Sequence, residues 1–207
     1  MEYYTTKKIC FPNNFVETRT AGNSPLISTT MSKGFQYEEI SLSVVENREK
    51  QIDSTIERIS KWFLSMSPMS NKKLQKLCYY AYCWFIVFFN DVEQIEDMKK
   101  GEIRTLCAEH FQAWIHGPVS PKLYNYYKSY GWHDIPQVSL KPIVSDELEI
   151  LLQQVWEAYG NFSADELETL SHREFPWRNA RKGIRDGEAC ANEISDYDIL
   201  QYYSSLG

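Results

Sequence analysis

The sequence predicts a mainly α-helical fold, α+β in detail, with a small strand pair, and three observations lead there. Apolar residues recur at alternating steps of four and three from residue 51 to residue 89, and again after Ser145. Every helical stretch after the first opens on a residue suited to capping: Ser70, Ser120, Ser145, Ser163 and Ser195. One short apolar run, Phe111–Ile115, leads straight into Gly117-Pro118 and reads as a strand rather than a helix.

The elements follow in order. Residues 1–50 form an extension distinct from the rest, rich in Thr, Ser and Asn and broken at Pro12-Asn13-Asn14 and at Ala21 to Pro25. Within it Phe35 and Tyr37 alternate with polar neighbours, and Ile40, Leu42 and Val44 do so on the opposite parity. This is the pattern of one or two strands, or of one strand with a bulge. Residues 51–207 form the helical domain. Ile52, Ile56, Ile59, Phe63 and Met66 make one amphipathic face, ended by Ser67-Pro68. Asn71 to about Phe89 is the next helix, with Leu74, Cys78, Ala81, Phe85 and Phe88 on one face. Beyond Leu77 it is apolar or aromatic nearly all round, as a central helix packed on several sides must be.

Asn90 to Arg104 is polar, with Gly101 as a breaker. After the Phe111–Ile115 strand, Ser120-Pro121 starts a helix expected to run to Gly131. Residues 132–144, with two prolines and a short apolar run, are expected to return as a strand beside Phe111–Ile115. Three helices close the chain. The first is capped by Ser145, with Leu148, Leu151, Leu152, Val155, Trp156 and Tyr159 on its face and Gly160 at its end. The second opens on the capping box Ser163 to Glu166, and the third on Ser195.

Composition narrows the function. The 207 residues hold 22 Lys and Arg against 28 Asp and Glu, a net charge of -6. The excess lies wholly in residues 51–207, where 16 basic residues face 22 acidic ones. An acidic chain lacks the basic face a nucleic-acid binder needs, and it suits a partner with a basic surface. The run Leu77–Phe89 falls short of the ~20 residues a bilayer span requires, and the first fifteen residues carry no apolar secretory core. Five cysteines, an odd number without a CxxC pair, read as reduced core thiols, so the expected location is cytoplasmic.

No motif for catalysis stands out: there is no Gly-x-Ser-x-Gly, no phosphate-cradling glycine loop and no His-Glu-x-x-His. Cys107, Glu109, His110 and His116 superficially suggest metal ligands. They lack a second pair to complete a tetrahedral set, and alternation along a strand points neighbours apart, so no metal or cofactor is expected. Lys72, Lys73 and Lys76 lie in the first two turns of a helix, where positive charge opposes the macrodipole. They are either a basic patch for an acidic partner or solvated and ion-paired side chains, and the second reading is favoured. His172, Trp177 and Arg181 are expected to anchor packing, the arginine stacked or bonded to a backbone carbonyl. Tyr79, Tyr80, Tyr82 and Trp84 cannot all face one neighbour, which leaves open a packed helix or an aromatic contact surface.

Three ordered motifs carry a resemblance to a known family. The first is residues 69–81, with Leu74, Gln75, Lys76, Leu77, Tyr79 and Tyr80. The second is residues 111–119, with Trp114, His116, Gly117, Pro118 and Val119, followed by Tyr124. The third is residues 167–181, with His172, Pro176 and Trp177. Over residues 52–205 the chain resembles the Panacea-domain antitoxins, the SocA-like and phage-associated GepA-like proteins. The resemblance implies a mostly helical core with a small strand pair. It also implies an antitoxin that neutralises a protein toxin encoded beside it; the expected mechanism is direct binding that occludes the toxin's active site, without catalysis. Toxins of the family belong to unrelated classes, alarmone-synthetase-like enzymes among them, and one member acts as an adaptor delivering its toxin to a protease. That leaves two alternatives, a proteolytic adaptor and an enzyme reversing the toxin's modification. The motif residues read as mostly structural. The candidate partner contacts are Phe35, Tyr37, Lys72, Lys73, Lys76, Arg178 and Arg181, in a toxin–antitoxin hetero-oligomer or a homo-oligomer.

Overall fold

Helix α1, Ile56–Met66, buries Ile56, Ile59, Trp62 and Phe63 along one stripe and stops before Ser67-Pro68, as its periodicity and the proline dictate. The computed structural model describes residues 56–90 and 103–206. The extension 1–50, with Phe35, Tyr37 and the other alternating residues, and the helical position Ile52 lie outside the described residues.

Strand β1, Met69–Ser70, leads into α2, Asn71–Phe89, whose first turn is capped by the Ser70 hydroxyl accepting from the Lys73 N–H at 3.3 Å. This is the central helix the composition demands. It packs against α1 and strand β3 (Gly117–Val119), and against helices α3 (Pro121–Tyr127), α4 (Asp146–Tyr159), α5 (Ala164–Arg173) and α7 (Asp196–Ser204). Its aromatics are therefore used inside the domain. Tyr80 stacks on Tyr159 at 4.1 Å, Tyr79 and Tyr82 meet Phe111, and Trp84 meets Tyr203 edge-on; all four are buried.

Two small antiparallel pairs complete the α+β character, and they correct the expected pairing. Strand β2, Gln112–Trp114, turns at Ile115-His116 and pairs with β3 through Gln112 with Val119, Ala113 with Pro118 and Trp114 with Gly117. Residues 132–144 supply instead β4, Asp134–Ile135, which pairs with Met69–Ser70. A two-residue turn closes the hairpin at far less chain entropy than a loop back from residue 132. The outer edge of β2 is covered by residues 192–194: Ala113 N–H donates to Asn192 O at 2.9 Å and Ile194 N–H to Phe111 O at 2.8 Å.

Serines cap α3, α4, α5 and α7 as expected, and Ser163 with Glu166 makes the full capping box. Two boundaries differ. The α3 helix ends at Tyr127 and tightens into a 3-10 turn, Lys128–Tyr130, before Gly131 at φ +57°. Between α5 and α7 lies a short helix, α6 (Phe175–Ala180), which the sequence pattern does not signal. Six residues are too few to show apolar periodicity, and a proline near the start of a helix is compatible with it. Cys78, Cys83, Cys107 and Cys190 are free and buried.

Candidate functional site

The three sequence motifs, far apart along the chain, converge on the β2–β3 hairpin. From α2, the Gln75 side-chain oxygen accepts the Ser120 N–H at 2.9 Å, and Lys76 Nζ donates to the Pro118 carbonyl at 3.0 Å. Leu74 and Leu77 are buried beside them. At the turn, Gly117 has φ +92° and sits so close to α2 and α5 that a Cβ would come within 2.6 Å of Lys76 Cε and 2.8 Å of Ser171 Oγ. Glycine meets both conditions at that corner. From α6, Trp177 donates its indole N–H to Trp114 O at 3.1 Å while His172 stacks on its ring at 4.1 Å. Arg181 lies over the same ring and donates to Ala113 O at 2.9 Å and Glu188 O at 2.7 Å. Trp114 in turn packs on Tyr124, and Pro176 is buried.

These contacts redistribute the candidate partner residues. The lysines do not form one exposed patch. Lys72 pairs with Asp165 and Glu168, and Lys73 donates to Gly160 O at 2.7 Å beside the Trp156 ring. Lys76 is only 1% exposed, so it is a structural tie and drops out as a surface contact. Arg181 is likewise buried with both donors engaged on carbonyls, whereas Arg178 is exposed. His116, exposed at the hairpin tip, meets Glu168 through Nδ1 at 3.0 Å.

The electrostatics follow from burial. Desolvation pushes the Lys76 ammonium down to about 7, with the Glu168 carboxylate opposing. Burial also lowers His172. It works against ionisation of Glu168, but hydrogen bonds from Lys72 and His116 outweigh it and hold that carboxyl below the usual range. Under the hairpin cluster, Glu174 is fully buried and accepts from Tyr80 Oη at 3.0 Å and Tyr203 Oη at 2.8 Å; desolvation raises it to about 7. The candidate ligands Cys107, Glu109, His110 and His116 diverge. The Cys107 thiol faces the Glu109 carbonyl, Glu109 pairs with Lys122 at 2.5 Å, and His110 faces Asp196 at 3.4 Å. Among the described residues no group of three or more His, Cys, Asp or Glu stands ready to hold a metal. Lys76, Trp177 and Arg181 are thus tied to backbone carbonyls, and what they build is a braced hairpin.

One surface escaped the sequence reading. Between α3 and α4 the chain exposes Trp132 (84%), Leu140 (85%) and Ile143 (81%), and α4 adds Ile150 (53%). A signal was available for Ile150, which falls off the Leu148, Leu151, Leu152, Val155 stripe that α4 buries. Leu140 and Ile143 gave none, since apolar residues around Pro142 read equally well as part of a strand.

Residues 86–178, from the last turn of α2 to the middle of α6, match the family described as "Antitoxin SocA-like, Panacea domain". Antitoxin SocA of Caulobacter vibrioides is 30% identical over 123 residues, covering 53% of this chain and 58% of its own length. The chain therefore spans somewhat more than half of that relative. No solved structure matches. The first motif, on α2, precedes the matched stretch, while the hairpin and the α5–α6 motif up to Arg178 lie within it. Through that segment the chain is similar to the SocA-like Panacea-domain antitoxins.

Proposed function

We propose that this chain is the antitoxin of a toxin–antitoxin pair, and that it neutralises a cognate protein toxin by binding it directly and covering its active site, without catalysis. The likeness to Antitoxin SocA carries the reading. The geometry supports the choice of contact over chemistry, because Gln75, Lys76, Trp177 and Arg181 of the motifs are engaged in bracing the hairpin. The net charge of -6 favours a toxin with a basic surface, raising association rate and selectivity more than affinity. Among the described residues no helix is long and apolar enough to cross a membrane, which is compatible with action in the cytoplasm. Residues 1–50 are proposed to add contacts to the toxin beyond those of the helical domain; full neutralisation by a chain beginning at Gln51 would rule that out.

The test is co-expression with the product of the adjacent gene. Growth inhibition by that product should be relieved, and the two chains should co-purify. Toxin half-life separates the alternatives: an occluding antitoxin leaves it unchanged or longer, whereas a proteolytic adaptor shortens it. Rescue at strongly substoichiometric antitoxin would instead point to an enzyme that reverses the toxin's modification.

A further inference from the structure

The aliphatic triad Leu140, Ile143 and Ile150 stands out because it is exposed on a segment that is firmly held. Val138 N–H donates to Leu64 O at 3.1 Å, and the Gln137 side chain donates to Ser65 O at 2.7 Å. Lys141 pairs with Glu149 and lies over the Trp62 ring, whose indole N–H donates to the same carboxylate at 2.6 Å. Along the chain, Leu140 adjoins Lys141 and Ile150 adjoins Glu149, the two partners of that ion pair, and Ile143 falls between Lys141 and the Ser145 cap of α4. Pro142 stiffens the middle of the loop. A loop fixed at its ends and stiff at its centre that still turns its large aliphatic side chains to water is organised for contact, and little ordering cost remains to be met on binding.

The charge around the triad selects the occupant. Asp146 and Glu147 are exposed beside it in the first turn of α4, while the neighbouring cation, Lys141, is already engaged by Glu149. The three residues thus belong to a stretch, residues 140–150, whose unengaged exposed charges Asp146 and Glu147 are acidic. We infer that Leu140, Ile143 and Ile150 are the anchor by which this chain holds its toxin, and that the toxin presents an apolar pocket edged by Lys or Arg. This rests on the proposed antitoxin function and locates its contact surface. A second copy of the chain fits less well, since like acidic charges would repel.

The test uses the full chain and the product of the adjacent gene as probe. Binding is measured by calorimetry for the wild type, for the triple variant Leu140→Ser, Ile143→Ser, Ile150→Ser, for the charge variant Asp146→Asn, Glu147→Gln, and for Ile115→Ser at the hairpin tip. Thermal unfolding is followed in parallel. The triple variant should keep its unfolding temperature within a few degrees yet bind at least about 100-fold more weakly. The charge variant should bind about 3- to 10-fold more weakly at low salt, with the deficit vanishing at high salt. Ile115→Ser should bind as the wild type does. Wild-type affinity in the folded triple variant overturns the inference, as does loss of binding confined to Ile115→Ser. A wild-type dimer that the triple variant turns into a monomer without loss of toxin binding overturns it as well. If the wild type itself fails to bind the probe, the antitoxin reading fails, which is a different result from failure of this surface.

Discussion

At the scale of single residues, Gly117 and Lys76 form one device. The hairpin reverses with φ +92° at Gly117, and the space a Cβ would need is filled by the Lys76 side chain and the Ser171 hydroxyl. Alanine there faces both a backbone region L-residues avoid and two close contacts, so Gly117→Ala should destabilise by about 2–4 kcal/mol. Urea unfolding measures it, and a loss under about 0.5 kcal/mol would mean that the corner is not strained. His116, one residue earlier, is exposed and makes a single surface contact with Glu168. His116→Ala should therefore cost no more than about 0.5–1 kcal/mol. The two neighbours separate the structural from the superficial part of one sequence motif. In the sequence Gly117-Pro118 marks the end of the Phe111–Ile115 run, but what Gly117 packs on, a lysine on a helix some forty positions earlier, carries no local signal.

At the scale of elements, what was legible depended on whether the signal was local. The helix starts at Asn71, Pro121, Asp146, Ala164 and Asp196 were all legible, because a capping serine acts within three residues of itself. Strand pairing was not, since β1 and β4 are two residues each and their partnership is fixed only when α2 docks. Helix α6 was invisible because its stability comes from tertiary ties. Arg181, immediately after its C-terminus, reaches Ala113 O of β2 and Glu188 O with separate guanidinium nitrogens. An ammonium carries its three donors on one nitrogen and lacks the two separate prongs with which the guanidinium reaches these carbonyls. Arg181→Lys should accordingly cost about 1.5–3 kcal/mol, a fall of several degrees in Tm at about 2–4 °C per kcal/mol. An unchanged Tm would mean that α6 and the hairpin are held by the Trp177 contacts alone.

At the scale of the whole molecule, two buried groups on opposite sides of neutrality shape stability. Glu174 has a folded pKa of about 7 against an ordinary 4.5. Its contribution is complete below pH 4.5 and is lost as the pH rises through about 7. Lys76 has a folded pKa of about 7 against an ordinary 10.5, so its contribution is complete above 10.5 and is lost as the pH falls through about 7. The two together contribute least near neutral pH, where both are half or more ionised in a buried setting. Other groups add slopes of their own. His172, lowered by burial, loses its contribution as the pH falls, and the buried thiols Cys78 and Cys83, raised by burial, lose theirs as the pH climbs past their ordinary 9.0. Differences from single variants cancel these common slopes. Urea unfolding in unit steps from about pH 5 to about pH 8.5 should therefore give two opposed curves. Wild type minus Glu174→Gln should fall as the pH rises toward 7, and wild type minus Lys76→Met should rise from 7 upward. Two flat difference curves would mean that both groups reach water in the folded chain. A flat Glu174 curve beside a rising Lys76 curve would mean that the tyrosine pair holds the carboxyl ionised over the whole range, so that the core beneath the hairpin rests on a charged carboxylate and not on a neutral acid.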